Sequence, residues 1–327
     1  MNSFGRLFKV QIFGESHGQC VGVCIDGCPP GIGLSETDFE EDLARRRAGN
    51  KGTTPRIEAD KPKIMSGVFD GCTTGAPILI MFDNNNTRSG DYTQFVDIPR
   101  PGHADFVSQK KYRGFADYRG GGHFSGRITV GIVAAGVIAK KIISPSTVFA
   151  QIKEIGGSSK WEEIIEKCIA TGDSAGGIIE CVIEGVSVGL GEPFFDSVES
   201  CIAHIVFAIP AVKGIEFGAG FFAAKLSGSV HNDAFISSNG KTKTNNTGGI
   251  NGGITNGNPV VFRVAVKPTS SIAITQETMN MRTCEMTMLK IQGRHDACIT
   301  LRMPPVVEAA AAIALADMNL LHSFCQQ

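Results

Sequence analysis

Four histidines of this chain lie in short segments that are rich in glycine and in charged residues. An imidazole can donate or accept a proton near neutral pH, and flanking glycines let the backbone approach a ligand closely. Four such segments in one chain therefore indicate acid–base chemistry. They are His17 in residues 14–18, His103 in residues 100–105, His123 in residues 118–127 and His295 in residues 293–298.

Three of these segments also carry arginine, the residue that binds phosphate or carboxylate through two parallel hydrogen bonds. A run of three arginines, Arg45 to Arg47, ends a predicted helix, and Lys51 follows it closely. Such a run is also typical of a solvated helix end that the helix dipole favours, and this alternative stays open. Together these basic residues predict a site for an anionic ligand, although the net charge of the chain is only −1.

Other chemistries have less support. Residues 14–18 spell Gly-Glu-Ser-His-Gly, which matches the G-x-S-x-G pattern of a hydrolase nucleophile. That motif should follow a strand and open a helix, whereas residues 19–26 predict a second strand, so a serine hydrolase is kept as the alternative enzyme. The chain has no H-E-x-x-H motif, and Cys20, Cys24 and Cys28 are spaced four apart rather than as C-x2-C. We predict no metal site.

The elements that must position these residues form a mixed pattern. Apolar stretches of β type predict strands, and the helix at residues 35–47 has Ser35 as a candidate N-cap with acidic residues in its first turn. Because the strands do not alternate strictly with long helices, we predict an α+β layered architecture rather than a Rossmann fold. Strands are predicted at residues 7–13, 76–82, 147–152, 178–183, 221–226 and 260–266, and the other helices at residues 129–143 and 308–324.

Residues 237–259 depart from this pattern, since they are mostly Gly, Asn, Thr, Ser and Lys. Composition alone is typical of a mobile surface loop. The alternative is a lid or a phosphate-binding loop, because glycines free backbone N–H groups to face an anion. No Walker pattern occurs in this segment, so P-loop chemistry is not indicated.

Composition narrows the class of protein. The chain has 327 residues, 42% of them hydrophobic and 19% charged, with 31 basic residues against 32 acidic ones. Nucleic-acid binding needs a basic excess for phosphate neutralisation, so nucleic acid is not an expected partner. The longest uncharged apolar stretch, residues 128–139, is short of the roughly 20 residues of a membrane span. With no secretory leader in evidence, we expect a cytoplasmic protein without a membrane anchor, with reduced cysteines in its core.

Nine motifs in order along the chain make the sequence similar to the chorismate synthase family over nearly its whole length. So many ordered matches are far more specific than a single glycine motif. The motifs are FGESHG (13–18), DGCPPGI (26–32), RRR (45–47), SGVFDG (66–71), TTGAPI (73–78), RPGHAD (100–105), DYRGGG (117–122), KPTSSI (267–272) and GRHDAC (293–298).

The resemblance implies a phosphate lyase that converts 5-enolpyruvylshikimate 3-phosphate to chorismate and phosphate by anti-1,4-elimination. This is the last common step of the shikimate pathway to the aromatic amino acids. Members require reduced FMN although the reaction has no net redox change, and some of them reduce the flavin with NADPH. The family also implies a homotetramer in which each chain, here residues 1–327, is one β-α-β sandwich domain with antiparallel sheets and a helical layer.

The resemblance also implies roles for individual residues. His17 would protonate or stabilise the reduced flavin, His103 would be the second acid, and Asp296 would handle the proton at flavin N5 through Ser16 and Ser125. The histidines outside the motifs, His204, His231 and His322, are expected to be structural. Flavin contacts map onto His123, Phe124, Ser125, Pro210, Ala211, Gly252, Lys267, Pro268, Thr269, Ser270, Ser271 and Arg294, and contacts to substrate or NADP anions onto Arg46, Lys51, Arg100 and Arg127.

The chain departs from the family pattern at three places. It has His-Phe-Ser-Gly-Arg at residues 123–127, as one branch of the family does, where many members have Arg-Ser-Ser-Ala-Arg. Ala48 stands where the family usually has proline, and one residue is missing from this chain near Lys51. Ala297 stands where proline is common, beside Asp296. These departures motivate a third hypothesis, a non-catalytic module that binds flavin or anions.

Overall fold

Two antiparallel sheets and the helices between them account for most of the chain, which a computed structural model describes at residues 2–56, 58–87, 89–293 and 295–325. The strands are β1 (Ser3–Phe4), β2 (Lys9–Gly14), β3 (Cys20–Asp26), β4 (Lys63–Ser66), β5 (Val68–Phe69), β6 (Cys72–Thr73), β7 (Ile78–Asp83), β8 (Thr147–Ile155), β9 (Gly177–Glu184), β10 (Val212–Phe217), β11 (Ile250–Asn251), β12 (Ile254–Thr255), β13 (Val260–Val266), β14 (Gln276–Asn280) and β15 (Glu285–Leu289). The α-helices are α1 (Glu40–Arg46), α2 (Asp105–Lys111), α3 (Thr129–Ile142), α4 (Glu162–Thr171), α5 (Val198–Val206), α6 (Gly228–His231) and α7 (Pro304–Cys325).

The first sheet has the strand order β1-β2-β3-β7-β4, and its neighbouring strands are antiparallel. In β7 the apolar residues Ile78, Ile80 and Phe82 are buried and alternate with partly exposed ones. This period of two places one face of the sheet against the protein interior, because successive side chains of a strand point to opposite faces. Val23 of β3 lies opposite Ile80 and extends the same apolar face.

The second sheet has the order β10-β13-β9-β8, again antiparallel. Strand β13 alternates buried and partly buried residues along its whole length, and Ile179, Cys181 and Ile183 of β9 are fully buried. One continuous apolar core joins the inner faces of both sheets with the helices between them. The predicted β-α-β sandwich with antiparallel sheets is therefore confirmed.

Helices α3 and α7 form the centre of the helical layer and pack against each other. They approach closely, since a Cβ at Gly136 of α3 would lie 2.3 Å from the Cβ of Ala309 in α7. Residues Ala309 to Ala312 are all buried, so small side chains on both helices set their distance. Within the described residues, α7 is the one helix apolar and long enough to cross a membrane, but most of it is buried as this central helix.

Two buried carboxylates of α7 tie distant parts of the chain to the helical layer. Glu308, which is 1% exposed, accepts hydrogen bonds from Arg45 at 2.7 Å, from Lys140 at 3.1 Å and from the N–H of Ala150 at 2.9 Å. These contacts connect α1, α3 and β8 to α7. Asp317 uses one oxygen, Oδ1, to accept the backbone N–H groups of residues 6, 7 and 8 at 2.8, 2.7 and 2.9 Å.

The predicted elements compare well with the structure, with one error. Six of the seven predicted strands, among them residues 19–26, and all three helices are present. The last helix begins earlier because Pro304 fits its first turn. Residues 221–226, predicted as a strand, lie instead in the 3-10 helix Gly220–Lys225 and its end. Gly218 and Gly220 have positive φ angles of 54° and 55°, which turn the chain away from the sheet directly after β10.

We expect Gly136→Ala to lower the free energy of unfolding in urea by about 1–3 kcal/mol, because α3 and α7 must separate to admit the methyl group. The control is Gly228→Ala in α6, where a Cβ would meet nothing within 4 Å. That change should leave stability equal or slightly higher, since alanine favours a helix by up to about 1 kcal/mol over glycine. Equal effects of the two changes would contradict the close contact between α3 and α7.

Candidate active site

A cavity of about 700 Å³ opens between the sheets and the loops that follow α1, precede α3 and join β13 to β14. Among the described residues that line it, eight side chains are basic and three are acidic, so the cavity concentrates positive charge that the chain as a whole lacks. The basic residues are Arg46, Arg47, Arg56, Arg100, Arg127, Lys213, Lys267 and Arg302, and the acidic ones are Glu58, Asp60 and Asp296.

Three consecutive glycines position two histidines at this cavity. Gly120, Gly121 and Gly122 have positive φ angles of 61°, 80° and 53°, a backbone shape that side chains with a Cβ rarely adopt. A Cβ at Gly120 would lie 2.4 Å from Cδ2 of His17, and one at Gly121 would lie 3.4 Å from Cε1 of His103. The glycines thus let the backbone pass directly against both imidazole rings.

His17 lies behind this turn, is 8% exposed and packs edge-to-face on Tyr92 with a centroid distance of 5.1 Å. Tyr92 and Gly120 line the cavity next to it. Its neighbour Ser16 is fully buried, and the Ser16 hydroxyl accepts a hydrogen bond from Arg56 at 2.8 Å. Strand β3 follows this segment, so the exposed serine and the following helix that a hydrolase nucleophile needs are not formed here.

One carboxylate holds two of the predicted anion-binding arginines. Asp60 forms ion pairs with Arg46, at 3.0 Å, and with Arg127, and all three side chains are at most 5% exposed. Arg127 also donates to the amide oxygen of Asn84 at 2.9 Å. Burial lowers the pKa of Arg46 to about 10, helped by Arg127 and Arg302 and opposed by Asp60. Arg46 therefore stays protonated at neutral pH.

A second carboxylate holds Arg100 and His103. Asp105 accepts hydrogen bonds from Nε and Nη2 of Arg100, both at 2.8 Å, and its Oδ1 lies 2.7 Å from Nδ1 of His103. The Arg100 guanidinium also lies over Phe95, 4.5 Å from the ring centroid, and donates to Ser271 at 2.9 Å. Several contacts thus fix this arginine before any ligand arrives.

Asp296 lines the cavity and is held at both oxygens. It accepts the N–H of Thr54 at 2.9 Å and a hydrogen bond from Arg302 at 2.7 Å. Ser125 also lines the cavity, where its hydroxyl accepts the N–H of Arg127 at 3.3 Å. Within the described ranges, Asp296 and Ser16 thus form hydrogen bonds with arginines and with backbone groups, and not with each other.

The remaining wall suits a large anionic ligand. Residues 267–271 form one strip of it, in which Lys267 donates to the carbonyl of Gly102 at 3.1 Å. His123 anchors another part through a 2.8 Å contact between its Nδ1 and the carbonyl of Gly14. In the described part of the chain, three buried polar atoms of the cavity residues lack a hydrogen-bond partner: Nε of Arg47, Oγ1 of Thr269 and Nε of Arg302.

Most of the predicted site residues meet at this one cavity. Ser16 and His17 lie directly behind its wall. The predicted residues that line it are Arg46, Arg100, His103, His123, Phe124, Ser125, Arg127, Pro210, Ala211, Lys267, Pro268, Thr269, Ser270, Ser271 and Asp296.

Lys51, Gly252 and Arg294 are the exceptions. Lys51 is 66% exposed and forms an ion pair of 2.5 Å with Glu166 of α4, because the chain turns outward after α1. Gly252 lies in the turn of the β11–β12 hairpin, and no described residue of the segment 237–259 lines the cavity. Arg294 falls outside the described residues.

Several residues that line the cavity or lie directly behind it were not predicted. Asp105, which lies behind it, is part of the RPGHAD motif and could have been found there, since a carboxylate two residues after a histidine is a natural partner for it. Arg56, Asp60 and Arg302 reach the site through the tertiary fold and carry no local signal. His204, predicted to be structural, also lines the cavity and packs edge-to-face on Phe4.

Comparison with known proteins gives a consistent result. The family model for chorismate synthase matches residues 8–320. The chain is 63% identical to a chorismate synthase of Chitinophaga pinensis over 98% of this chain and 97% of that protein. It is 46% identical to one of Dehalococcoides mccartyi over 98% and 96% of the two chains, and 44% identical to one of Thermococcus kodakarensis over 96% of each.

A solved structure supports the same conclusion. The crystal structure of a chorismate synthase superimposes with a TM-score of 0.74 at 26% identity, covering 97% of this chain and 93% of the other. The motifs, the two-sheet architecture with its helical layer and the identities over almost complete lengths all agree. The chain belongs to the chorismate synthase family and is thereby a carbon–oxygen lyase of aromatic amino acid biosynthesis.

Proposed function

We propose that this cavity binds 5-enolpyruvylshikimate 3-phosphate beside reduced FMN and forms chorismate and phosphate by anti-1,4-elimination. The observation that carries the proposal is the charge of the cavity wall. Among the described residues, eight basic side chains and three carboxylates line a cavity of about 700 Å³. The substrate carries one phosphate and two carboxylates, and the cofactor carries another phosphate. A cavity for both must supply this much positive charge.

Arg46, Arg100 and Arg127 are suited to hold the substrate because the protein fixes them in advance. Carboxylates and other protein acceptors take most of the N–H groups of these guanidinium groups, and the few that remain among the described contacts are left for a ligand. Charges that are already oriented and shielded from water act more strongly on an anion than mobile surface charges do. The arginines can thereby stabilise the negative charge that grows on the leaving phosphate.

The walls around residues 123–125, 210–211 and 267–271 fit the flavin by their chemistry. They combine a lysine, hydroxyl groups and apolar surface, and the unpartnered Oγ1 of Thr269 offers a further hydrogen bond. When bound, reduced FMN would supply electron density to the allylic system and a proton acceptor at N5. Asp296, held by Arg302 and Thr54, is the carboxylate that we assign to proton exchange with this side of the cavity.

The two histidines serve as the acids of the site. Burial lowers the pKa of His103, and the positive charges of Arg100 and Lys267 lower it further, while Asp105 opposes the shift. His103 is therefore neutral before the ligands bind. Bound phosphate and carboxylate groups favour the imidazolium, so substrate binding itself raises the pKa and prepares His103 as an acid.

We also propose a homotetramer. Gly252, a flavin contact by family resemblance, does not line the cavity of its own chain and has open space around it, which suggests that a neighbouring copy presents it. Phe221 and Phe235, in the segment after β10, are 83% and 74% exposed, and such apolar surface is typical of subunit contacts. The free cysteines among the described residues are consistent with a cytoplasmic enzyme.

We expect phosphate and chorismate release under anaerobic conditions with chemically reduced FMN, and none with oxidised FMN. The reason is that only the reduced flavin supplies the electron density that the elimination needs. Phosphate in both vessels without chorismate would favour a hydrolase. Product in neither vessel, with flavin bound, would favour the non-catalytic module. A third vessel with oxidised FMN and NADPH tests whether the enzyme reduces its own flavin.

Arg127→Lys should raise the KM for the substrate about 10- to 100-fold, because a lysine cannot reproduce the charge-assisted hydrogen bonds of a fixed guanidinium. The matched control is Lys51→Ala, which removes an exposed basic residue outside the cavity. Its KM should stay within about twofold of the wild-type value, as expected for a surface ion pair. A larger effect at Lys51 than at Arg127 would contradict the placement of the anion site.

Light scattering on the purified protein should give the mass of four chains. Phe221→Ser and Phe235→Ser should weaken the assembly, because each removes exposed apolar surface that a neighbouring subunit would bury. Phe115→Ser, at a side chain that is 91% exposed on another segment, serves as the comparison. A monomeric wild-type protein that retains full turnover would refute the tetramer and the shared role of Gly252.

A further inference from the structure

We propose that Asp105 is a positioning residue that keeps the proton of neutral His103 on Nδ1, so that Nε2 is the atom that exchanges a proton in the cavity. The inference rests on the proposed role of His103 as an acid. Nothing in the family resemblance assigned a role to Asp105. Its carboxylate contacts His103 and Arg100 rather than the cavity space itself.

The contacts of Asp105 show that it is an ionised acceptor. It is 8% exposed, and its Oδ2 accepts both the backbone N–H of Arg100, at 3.1 Å, and the Nε of that residue. Its Oδ1 accepts from Nη2 of Arg100 and lies against Nδ1 of His103. Burial alone would raise the pKa of Asp105, but the hydrogen bonds from Arg100 and His103 outweigh it and hold the pKa well below its usual value.

Two tautomers of neutral His103 compete at this position. Nη2 of Arg100 lies 3.1 Å from Nδ1 and could donate to an unprotonated Nδ1. However, the ionised Oδ1 of Asp105 lies closer, at 2.7 Å, and lone pairs on both atoms at that distance would repel each other. Nη2 already donates to the same carboxylate at 2.8 Å. The geometry therefore favours a proton on Nδ1 that is donated to Asp105.

With Nδ1 occupied, Nε2 is the atom left for proton exchange. It lies on the side of Gly121, where a Cβ would be 3.6 Å away, and His103 lines the cavity with about a fifth of its side chain exposed. Nε2 takes a proton from solvent when the anionic ligands bind and gives it to the bound anionic group that lies beside it in the cavity. His103 then returns to its neutral form with Nδ1 still protonated.

The charged groups around the ring make Asp105 necessary for this cycle. Arg100 and Lys267 both face His103 and disfavour the imidazolium, and burial does the same. Asp105 opposes these effects, because its hydrogen bond and its negative charge both raise the pKa of His103. Without it, the pKa of His103 would fall further, and Nδ1 would be free to accept from Arg100.

The test begins with the tautomer in the ligand-free wild-type protein. Ring 15N spectra of histidine-labelled protein, assigned by the signals lost in His103→Ala, should show a protonated Nδ1 and an unprotonated Nε2 at pH 8. In Asp105→Asn the proton should move to Nε2 or be shared between the two nitrogens, so that the two signals trade places or average. The pKa of His103 should also fall. A wild-type ring with its proton on Nε2 would overturn the proposal, whether or not the enzyme turns over.

Kinetics separate positioning of His103 from support of Arg100. Asp105→Asn should lower kcat about 100-fold, the usual contribution of a positioned general acid. It should also move the alkaline limb of the pH profile to lower pH, because that limb marks the loss of the proton from His103. If this variant raises KM but keeps the wild-type kcat and the proton on Nδ1, Asp105 only holds Arg100 in place and the proposal is wrong. Asp105→Glu keeps a carboxylate and should have a higher kcat than Asp105→Asn. It also gives a second variant to measure if the Asp105→Asn protein does not fold.

Asp38→Asn is the matched control. Asp38 is also an aspartate at the start of a helical segment, where it pairs with Lys141 at 2.8 Å, but it lies outside the cavity. This change should leave the tautomer of His103 and kcat unaltered. If the wild-type protein shows the protonated Nδ1 but does not catalyse the elimination, the proposed function is wrong and the assignment of Asp105 still holds.

Discussion

The need to keep arginines charged inside the protein governs the design of the site. A guanidinium removed from water is costly unless a carboxylate or other acceptor replaces the lost solvation. Asp60 pairs with Arg46 and Arg127, and Asp105 pairs with Arg100. The lowered pKa of Arg46 reflects the cost of burying its charge, which Asp60 offsets in part. The carboxylates are fewer than the arginines, so the cavity keeps a positive excess for an anionic ligand.

This excess depends on a rigid frame. Arg46, Arg100 and Arg127 come from three separate segments, and Asp60 brings two of them together from a fourth. Small shifts of α1 relative to the start of α3 would separate Asp60 from one of its two arginines. The close contact of α3 with α7 and the bonds of Glu308 to α1, α3 and β8 hold the layers together beneath the cavity. Packing far from the ligand therefore sets the geometry that the ligand meets.

The sequence predicts those parts of the fold that local patterns encode. The apolar stretches of β7 and β13 and the helical start at Ser35 predicted an α+β layered architecture, whereas the family resemblance implied the two-sheet sandwich. The motifs around His17, His103 and Asp296 lie at one cavity. The partnership of Asp60 with Arg127 could not be predicted, because it joins residues 67 positions apart through the fold. The exposed position of Lys51 beside Glu166 of α4 likewise depends on the tertiary fold rather than on a local pattern.

The bond of Asp317 to the first residues of the chain has a consequence for how the protein folds. The acceptor for the N–H groups of residues 6, 7 and 8 is separated from them by some 310 positions, and α7 also packs against α3 and β8. Closing so long a loop costs chain entropy before any contact compensates for it. Residues 6, 7 and 8 therefore gain this anchor only after the chain has been synthesised through α7.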